Sequence, residues 1–437
     1  MATEDNPTAL VPEPIAGEAV TLPTADALSD EKVRITGWLR KLTISNLVAN
    51  VGIFMLWGAI PSILLALQVQ GIDPAQKNAN LSVVLTIGAF CAMLAQPIAG
   101  MVSDRTRSRF GRRAQWMIAG TLIGGLALVG LASANTIIQI AIAWAIVQVA
   151  YNFAQGPLSA ILPDRVPLAA RGRFSAITGL GTMVGAIGGS IIAAQFTKNI
   201  PAGYLFLGGF ALIATVLFVV LNPDKSNKGE PRSRFDFITF LKTFWVNPVK
   251  HPDFFWGFAG RLLLFIGYYL VSGYMLYVLE DYIGLKSADA AAGVATLGVV
   301  SLPAILISMV LGGWISDRIG RRKVVVLVGG LLMAVALLIP FLIPTMTGMY
   351  IYSFINGLGF GVYMSVDGAL MSQVLPSKQD FGKDLGVLNI AATLPQTLGP
   401  AIAGIIVVNL SDAALFPIGA VVALVGAVAI VPIKSVR

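Results

Sequence analysis

Two residues, Arg261 and Asp367, carry charge inside long stretches that are otherwise almost free of it. An ionised group in such surroundings is costly unless it is paired or used. Arg261 lies about seven residues into its stretch, ~10 Å at the rise of a helix, and Asp367 about eight residues before Leu375-Pro376, ~12 Å. Equal depth lets the two form an ion pair, either a permanent tie between helices or a carboxylate that exchanges its arginine for a proton or cation. Around them stands a polar and aromatic set: Asn46, Asn50, Trp57, Asn152, Gln155, Tyr268, Tyr269, Tyr274, Asn356, Tyr363, Asn389, Thr393 and Gln396. Amides donate and accept at once, which suits a solute rich in hydroxyls, and aromatic faces suit the apolar side of a ring. The same residues could equally bridge helices, and both uses stay open at this point.

The elements that must position these groups are membrane helices. With 56% hydrophobic and only 12% charged residues, the 437-residue chain carries about half the charge of a soluble domain. Twelve stretches reach the ~20 residues a bilayer requires: 43–67, 79–103, 114–133, 136–161, 174–196, 203–222, 254–280, 291–316, 324–344, 348–374, 386–408 and 412–433. The runs are continuous rather than alternating, which excludes a membrane β-barrel. Net charge is +8, yet all Lys and Arg except Lys77, Lys198, Lys286 and Arg261 fall in the N-terminal approach, the C-terminus or the even-to-odd connections. That bias predicts cytoplasmic termini in the cell (inner) membrane and points away from nucleic acid. Residues 1–40 read as a cytoplasmic tail, 223–253 as a linker with an amphipathic segment at 235–246, and 434–437 as a cytoplasmic end.

Catalytic chemistry finds little footing. One Cys (Cys91) and one His (His251, in the linker) supply neither a disulfide nor a metal cluster. No Gly-x-x-x-x-Gly-Lys-Ser/Thr loop is present, so neither ATP nor a cofactor is expected. An intramembrane enzyme or a channel is the weaker reading.

The chain also repeats itself. Gly100-Met-Val-Ser-Asp104-Arg105 recurs 213 residues later as Gly313-Trp-Ile-Ser-Asp317-Arg318. Tyr151 to Gly156 recurs 212 residues on as Tyr363 to Gly368, which sets Gln155 against Asp367. Leu162-Pro163 recurs as Leu375-Pro376. One offset for three matches implies two structural halves, 41–222 and 254–433, working about their interface. Asp104 and Asp317 close helices at the C-terminal end, where the dipole disfavours a carboxylate. The expected role is a clasp, each carboxylate bonding a neighbouring helix N-terminus and nearby arginines. Gly156-Pro157, Pro395 and Pro400 suit bent helices. Glu280 and Asp281 are expected to be solvated at the outer mouth.

With these loops the chain resembles the major facilitator superfamily. Gly313, Asp317, Arg318, Gly320, Arg321 and Arg322 fit that family's loop signature residue by residue. The first version, Gly100, Asp104, Arg105, then Gly111, Arg112 and Arg113, carries four extra residues. That longer form is similar to sucrose-transporter-like and glycoside–pentoside–hexuronide:cation symporters. The resemblance implies an all-α membrane protein of two six-helix bundles, alternating access, and a central cavity lined by helices 1, 4, 7 and 10. It implies a monomeric secondary transporter of a small polar solute, a sugar or glycoside, by proton or cation symport. A drug/proton antiporter of the same fold is the alternative.

Overall fold

Backbone polar groups have no water to bond in lipid, so a chain with this hydropathy satisfies them within helices. The computed structural model describes residues 36–224, 226–229, 250–374 and 381–435, with the side chains of 369, 372, 373 and 381–393 excepted. The expected tail, most of the linker, its segment 235–246 and the side chains of Asn389 and Thr393 lie outside the described residues. The described residues are helical, without strands. The helices are α1 Gly37–Ile72, α2 Lys77–Arg105, α3 Ala114–Ala132, α4 Ile137–Arg165, α5 Leu168–Gln195 and α6 Ile200–Leu221. The second set is α7 Pro252–Ser272, α8 Ser287–Ile319, α9 Arg322–Leu342, α10 Met346–Val374, α11 Phe381–Asn409 and α12 Leu415–Val428. Among the described residues, α1 to α9 are long and apolar enough to cross a membrane. The last three helices occupy the last three expected stretches.

Sequence sets the ends locally. Thr136 and Asn199 accept from the backbone N–H groups of Gln139 and Ala202 and so start α4 and α6. Gly320, at φ +65°, stops α8 in the left-handed conformation that favours glycine. A π-helical turn, Ile60–Leu64, interrupts α1 at Pro61, and a second, Val278–Tyr282, follows α7. Large apolar side chains such as Ile138, Leu126, Val310 and Leu342 face outward. Water would not tolerate such a continuous apolar belt, and lipid requires one.

Packing follows the repeat. In the first half α1 packs on α5 and α6, α2 on α4, and α3 on α4 and α6. The second half repeats these pairs six helices later: α7 on α11 and α12, α8 on α10, and α9 on α10 and α12. Small residues permit the close approach. Gly181, Gly185 and Gly189 form a stripe on α5, and a Cβ at Gly185 would lie 2.7 Å from Val51 O on α1.

The halves meet through α2 with α11 and α5 with α8. On the face opposite the termini, Ser82 Oγ donates to Pro400 O (2.9 Å), Tyr274 Oη to Asn78 O (2.9 Å) and Tyr277 Oη to Ala66 O (2.8 Å). The buried side chains tell the same story. One cluster spans both halves toward that face, including Leu64, Leu81, Tyr277 and Phe416. Toward the terminal face there are separate clusters, one around Phe174 in the first half and one around Phe254 and Tyr363 in the second. The halves are joined at one end and independent at the other.

The α5 stripe gives a direct test. Gly185→Leu should abolish the monodisperse peak in detergent, because Val51 backbone blocks the added side chain. Gly188→Leu, where nothing lies within 4 Å, should leave it intact.

Candidate functional site

In the second half, α7 and α10 bring the two intramembrane charges together. Arg261 Nη1 lies 3.2 Å from Asp367 Oδ2, with the carboxylate only 4% exposed. The pairing is incomplete: Asp367 Oδ1, Arg261 Nε and Tyr363 Oη close no hydrogen bond among the described residues. The Tyr363 hydroxyl faces the carboxylate from one turn earlier on α10. Phe265, one turn after Arg261, packs edge to face on Tyr363 at 5.8 Å, and the guanidinium sits 5.9 Å from its ring centre. A buried, half-satisfied ion pair on two helices is a costly arrangement and one that can exchange partners.

The equivalent place in the first half holds a neutral pair. Trp57 Nε1 on α1 donates to Gln155 Oε1 on α4 at 2.8 Å, which fixes the indole edge-on against Trp144 and Tyr151, both at 6.3 Å. The second half has its own amide-held aromatic, Tyr269 of α7. Tyr269 is itself hydrogen-bonded by Gln396 of α11. It stacks on Phe265 at 6.3 Å, and Tyr268 stacks on Phe360 at 5.4 Å. Each half therefore carries a half-buried aromatic oriented by an amide.

Other expected residues are engaged elsewhere. Asn50 Nδ2 donates to Asn46 O (2.8 Å) and Asn46 Oδ1 (3.0 Å), and Thr178 Oγ1 donates to the same Oδ1 (3.0 Å). Asn46 thus bridges α1 to α5, with Asn50 bonded to it within α1, and both are buried. Asn152 Nδ2 bonds Gln148 O of its own helix. Asn356 is buried in α10. Tyr274 belongs to the half-to-half seal rather than to this aromatic group.

At the terminal face the first loop motif forms a clasp, with a correction to its wiring. Asp104 reaches Arg113 (2.6 Å) but caps no helix. The N-terminus of α3 is held by Asp224, whose Oδ2 accepts from Arg113 N (3.2 Å) and Ala114 N (3.3 Å). Arg113, 7% exposed, also bonds Asp164 Oδ2 (3.0 Å) and Ser103 Oγ (2.5 Å), and Arg112 bonds Asp164 Oδ1 (2.8 Å). Gly111 sits at φ +79°, and a Cβ there would also run into Asp224, so both the turn and the close approach need glycine. Asn227 ties the loop from the other side, accepting from Ser108 N (3.0 Å) and donating to Thr106 O (2.8 Å). Sequence reasoning missed Asp164, Asp224 and Asn227. Asp164-Arg165 stands directly after the repeated Leu162-Pro163, where the second copy reads Ser377-Lys378.

The second motif is built differently. Asp317 and Arg318 are exposed, the Arg318 guanidinium lies 5.2 Å from the Trp314 ring centre, and no ion pair of Asp317 forms among the described residues. Lys323, just past Gly320, Arg321 and Arg322, instead donates to Val431 O (2.8 Å) and Ile433 O (2.5 Å) beyond α12.

A second correction lies on the opposite face. Glu280 is not solvated: its side chain is 6% exposed and pairs with Lys77 of the first half (3.4 Å), as does Asp281 (2.8 Å).

Two repeated helical bundles in lipid, sealed across one face, define a membrane transporter. The family model of the Major Facilitator Superfamily matches residues 42–312 and 291–436, and the chain belongs to that superfamily. A stretch of 135 residues is 30% identical to the sucrose transport protein SUC4 of Arabidopsis thaliana, spanning 26% of each protein. In fold the chain is similar to the nucleoside transporter NupG (TM-score 0.72, 16% identity, 90% of this chain and 99% of that one). It is similar also to a D-xylose-proton symporter (TM-score 0.68, 15% identity, 92% and 98%). A bacterial homologue of the lysosomal transporter Spinster, solved in an inward-facing, unoccupied conformation, aligns at a TM-score of 0.63 with 16% identity over 90% and 94%.

The clasp predicts unequal losses. Arg113→Ala should lower the melting temperature in detergent by at least about 5 °C, since it strands Asp164, only 19% exposed, and the buried Ser103 hydroxyl. Asp104→Asn, at a side chain 55% exposed, should cost about 1 °C or less.

Proposed function

We propose that this transporter moves a sugar or glycoside by proton symport, alternating access between the two faces. The observation that carries the reading is the Arg261–Asp367 pair, a single buried charge couple in the second half where the first half has the neutral Gln155. A proton arriving at Asp367 releases Arg261, and the freed guanidinium offers donors to a solute hydroxyl or ring oxygen. Loss of the proton restores the pair and expels the solute. The proton neutralises the carboxylate while Arg261 stays cationic, so in that half of the cycle the solute's oxygens replace Asp367 as its partners. Trp57 and Tyr269 are the rings against which a pyranose would lie, with Gln155 and Gln396 the amides beside them.

The likeness to a sucrose transport protein and a D-xylose-proton symporter supports this solute class. The basic terminal face supports cytoplasmic termini, and the sealed opposite face then corresponds to an inward-facing state. The second reading, a drug/proton antiporter, draws on the aromatic wall of Phe265, Tyr268, Phe360 and Tyr363.

Proton uptake into vesicles on addition of mono- and disaccharides separates the two: sugar-evoked alkalinisation of the medium supports symport, and dye efflux without it supports the antiporter. Asp367→Asn should abolish gradient-driven accumulation while solute exchange, which needs no net proton movement, persists. Retained accumulation would leave the pair a structural tie. Trp57→Ala should raise KM about tenfold or more with exchange still measurable, as loss of a ring contact worth ~1.5 kcal/mol would.

A further inference from the structure

The seal on the face opposite the termini is an uneven electrostatic arrangement. Lys77, the first residue of α2, is the one cation of the group, and it reaches across to Asp281 at 2.8 Å and Glu280 at 3.4 Å in the π-helical turn after α7. Asp412, in the short turn Asp412–Ala414 between α11 and α12, packs against that same turn. Three carboxylates therefore share one ammonium. Two of their oxygens, Glu280 Oε1 and Asp412 Oδ1, are buried and have no hydrogen-bond partner among the described residues. The other titratable groups on the elements packed here are Asp73, bonded by Gln76 N and Asn80 Nδ2, the exposed Lys286 and Asp289 at the start of α8, and Tyr274, Tyr277 and Tyr282, whose hydroxyls donate to Asn78 O, Ala66 O and Pro340 O. The Tyr277 ring lies under the ammonium, 4.6 Å from Lys77 Nζ. Beyond Asp412 itself, α11 and α12 bring no titratable side chain to this end.

We infer that this cluster is a second proton site, separate from Asp367, at which a proton bound on Asp412 stabilises closure of the face opposite the termini. With all three carboxylates ionised the closed cluster carries excess negative charge in a confined space, and one proton relieves both the repulsion and the stranded oxygen. Burial, with the Asp281 carboxylate beside it, pushes the Asp412 carboxyl up to about 6, against the pull of a backbone N–H and Lys77. When the halves part, Asp412 meets water and returns to the ordinary carboxylate range. Its proton affinity is thus higher closed than open. The added stability of closure is fully present below the open-state value and is lost as pH rises through about 6. Acid on this face favours sealing it, which is the order a proton-driven importer needs. The inference rests on the alternating-access reading above but not on which solute is carried.

The test uses the full chain with Cys91→Ser and Ser82→Cys, because position 82 lies in the half-to-half seal. Labelling by a membrane-impermeant maleimide, corrected for thiol reactivity with an exposed control cysteine at position 288, reports opening of this face. The labelling rate should rise about tenfold from pH 5 to pH 7.5, with its midpoint near pH 6. Asp412→Asn should label slowly at every pH, and Lys77→Met should label fast at every pH. Asp281→Asn should keep a transition but move its midpoint to more acid pH, which serves if Asp412→Asn fails to fold. An unchanged pH profile in Asp412→Asn, with Lys77→Met fast, overturns the proton site alone. Lys77→Met labelling no faster than its parent overturns both the proton site and the closure of this face as a moving gate.

Discussion

A charge in a low-dielectric interior must be matched, and that constraint organises this protein. Ionising Asp367 inside α10 is tolerable because Arg261 of α7 lies 3.2 Å away. A proton on the carboxylate removes its charge and leaves the Arg261 guanidinium needing another acceptor, which a solute oxygen can supply. The pair is therefore bistable in a way that the Trp57–Gln155 hydrogen bond in the first half is not. Asn46, held by Asn50, ties α1 to α5, leaving Trp57 farther along α1 to stand against Trp144 and Tyr151.

The same constraint works at each membrane face through ions that water only partly reaches. At the terminal face Arg113 gathers Asp104, Asp164 and Ser103 within one half, stiffening the first bundle. At the opposite face Lys77 binds the two halves to each other. One network is internal to a bundle and the other bridges bundles. A rigid body that rocks needs both kinds: stiffness within each half, and a breakable tie between them. The shared apolar cluster at the bridged face and the separate clusters at the other describe the same division in terms of packing.

Much of this was legible in the residues. Continuous apolar runs dictate helices, the repeat dictates paired halves, and helical rise places Arg261 and Asp367 at one depth. What escaped reading depends on packing between distant segments. Asp224 caps α3 because the chain leaving α6 returns across the loop at Gly111, and no local spacing announces that. Glu280 looked solvated because it follows an apolar run near a face, whereas Lys77 closes over it from the other half. The asymmetry between the loop motifs could have been read: Asp164 after Leu162-Pro163 has Ser377 as its counterpart, so the second copy lacks the carboxylate that anchors the first clasp. Asn50 shows the opposite limit. Its amide suits a solute or a neighbouring helix equally well until the position of Asn46 decides.

The central claim is that two stiff halves tilt about the site containing Arg261 and Asp367. Spin labels at positions 75 and 288 report the opposite face, and labels at 110 and 319 report the terminal face. Pulsed electron–electron distance measurements on both pairs, with and without a transported sugar at acid pH, test the claim most directly. The account predicts that the 75–288 distance lengthens in the population where the 110–319 distance shortens. Distances that stay fixed, or that lengthen together, would contradict it.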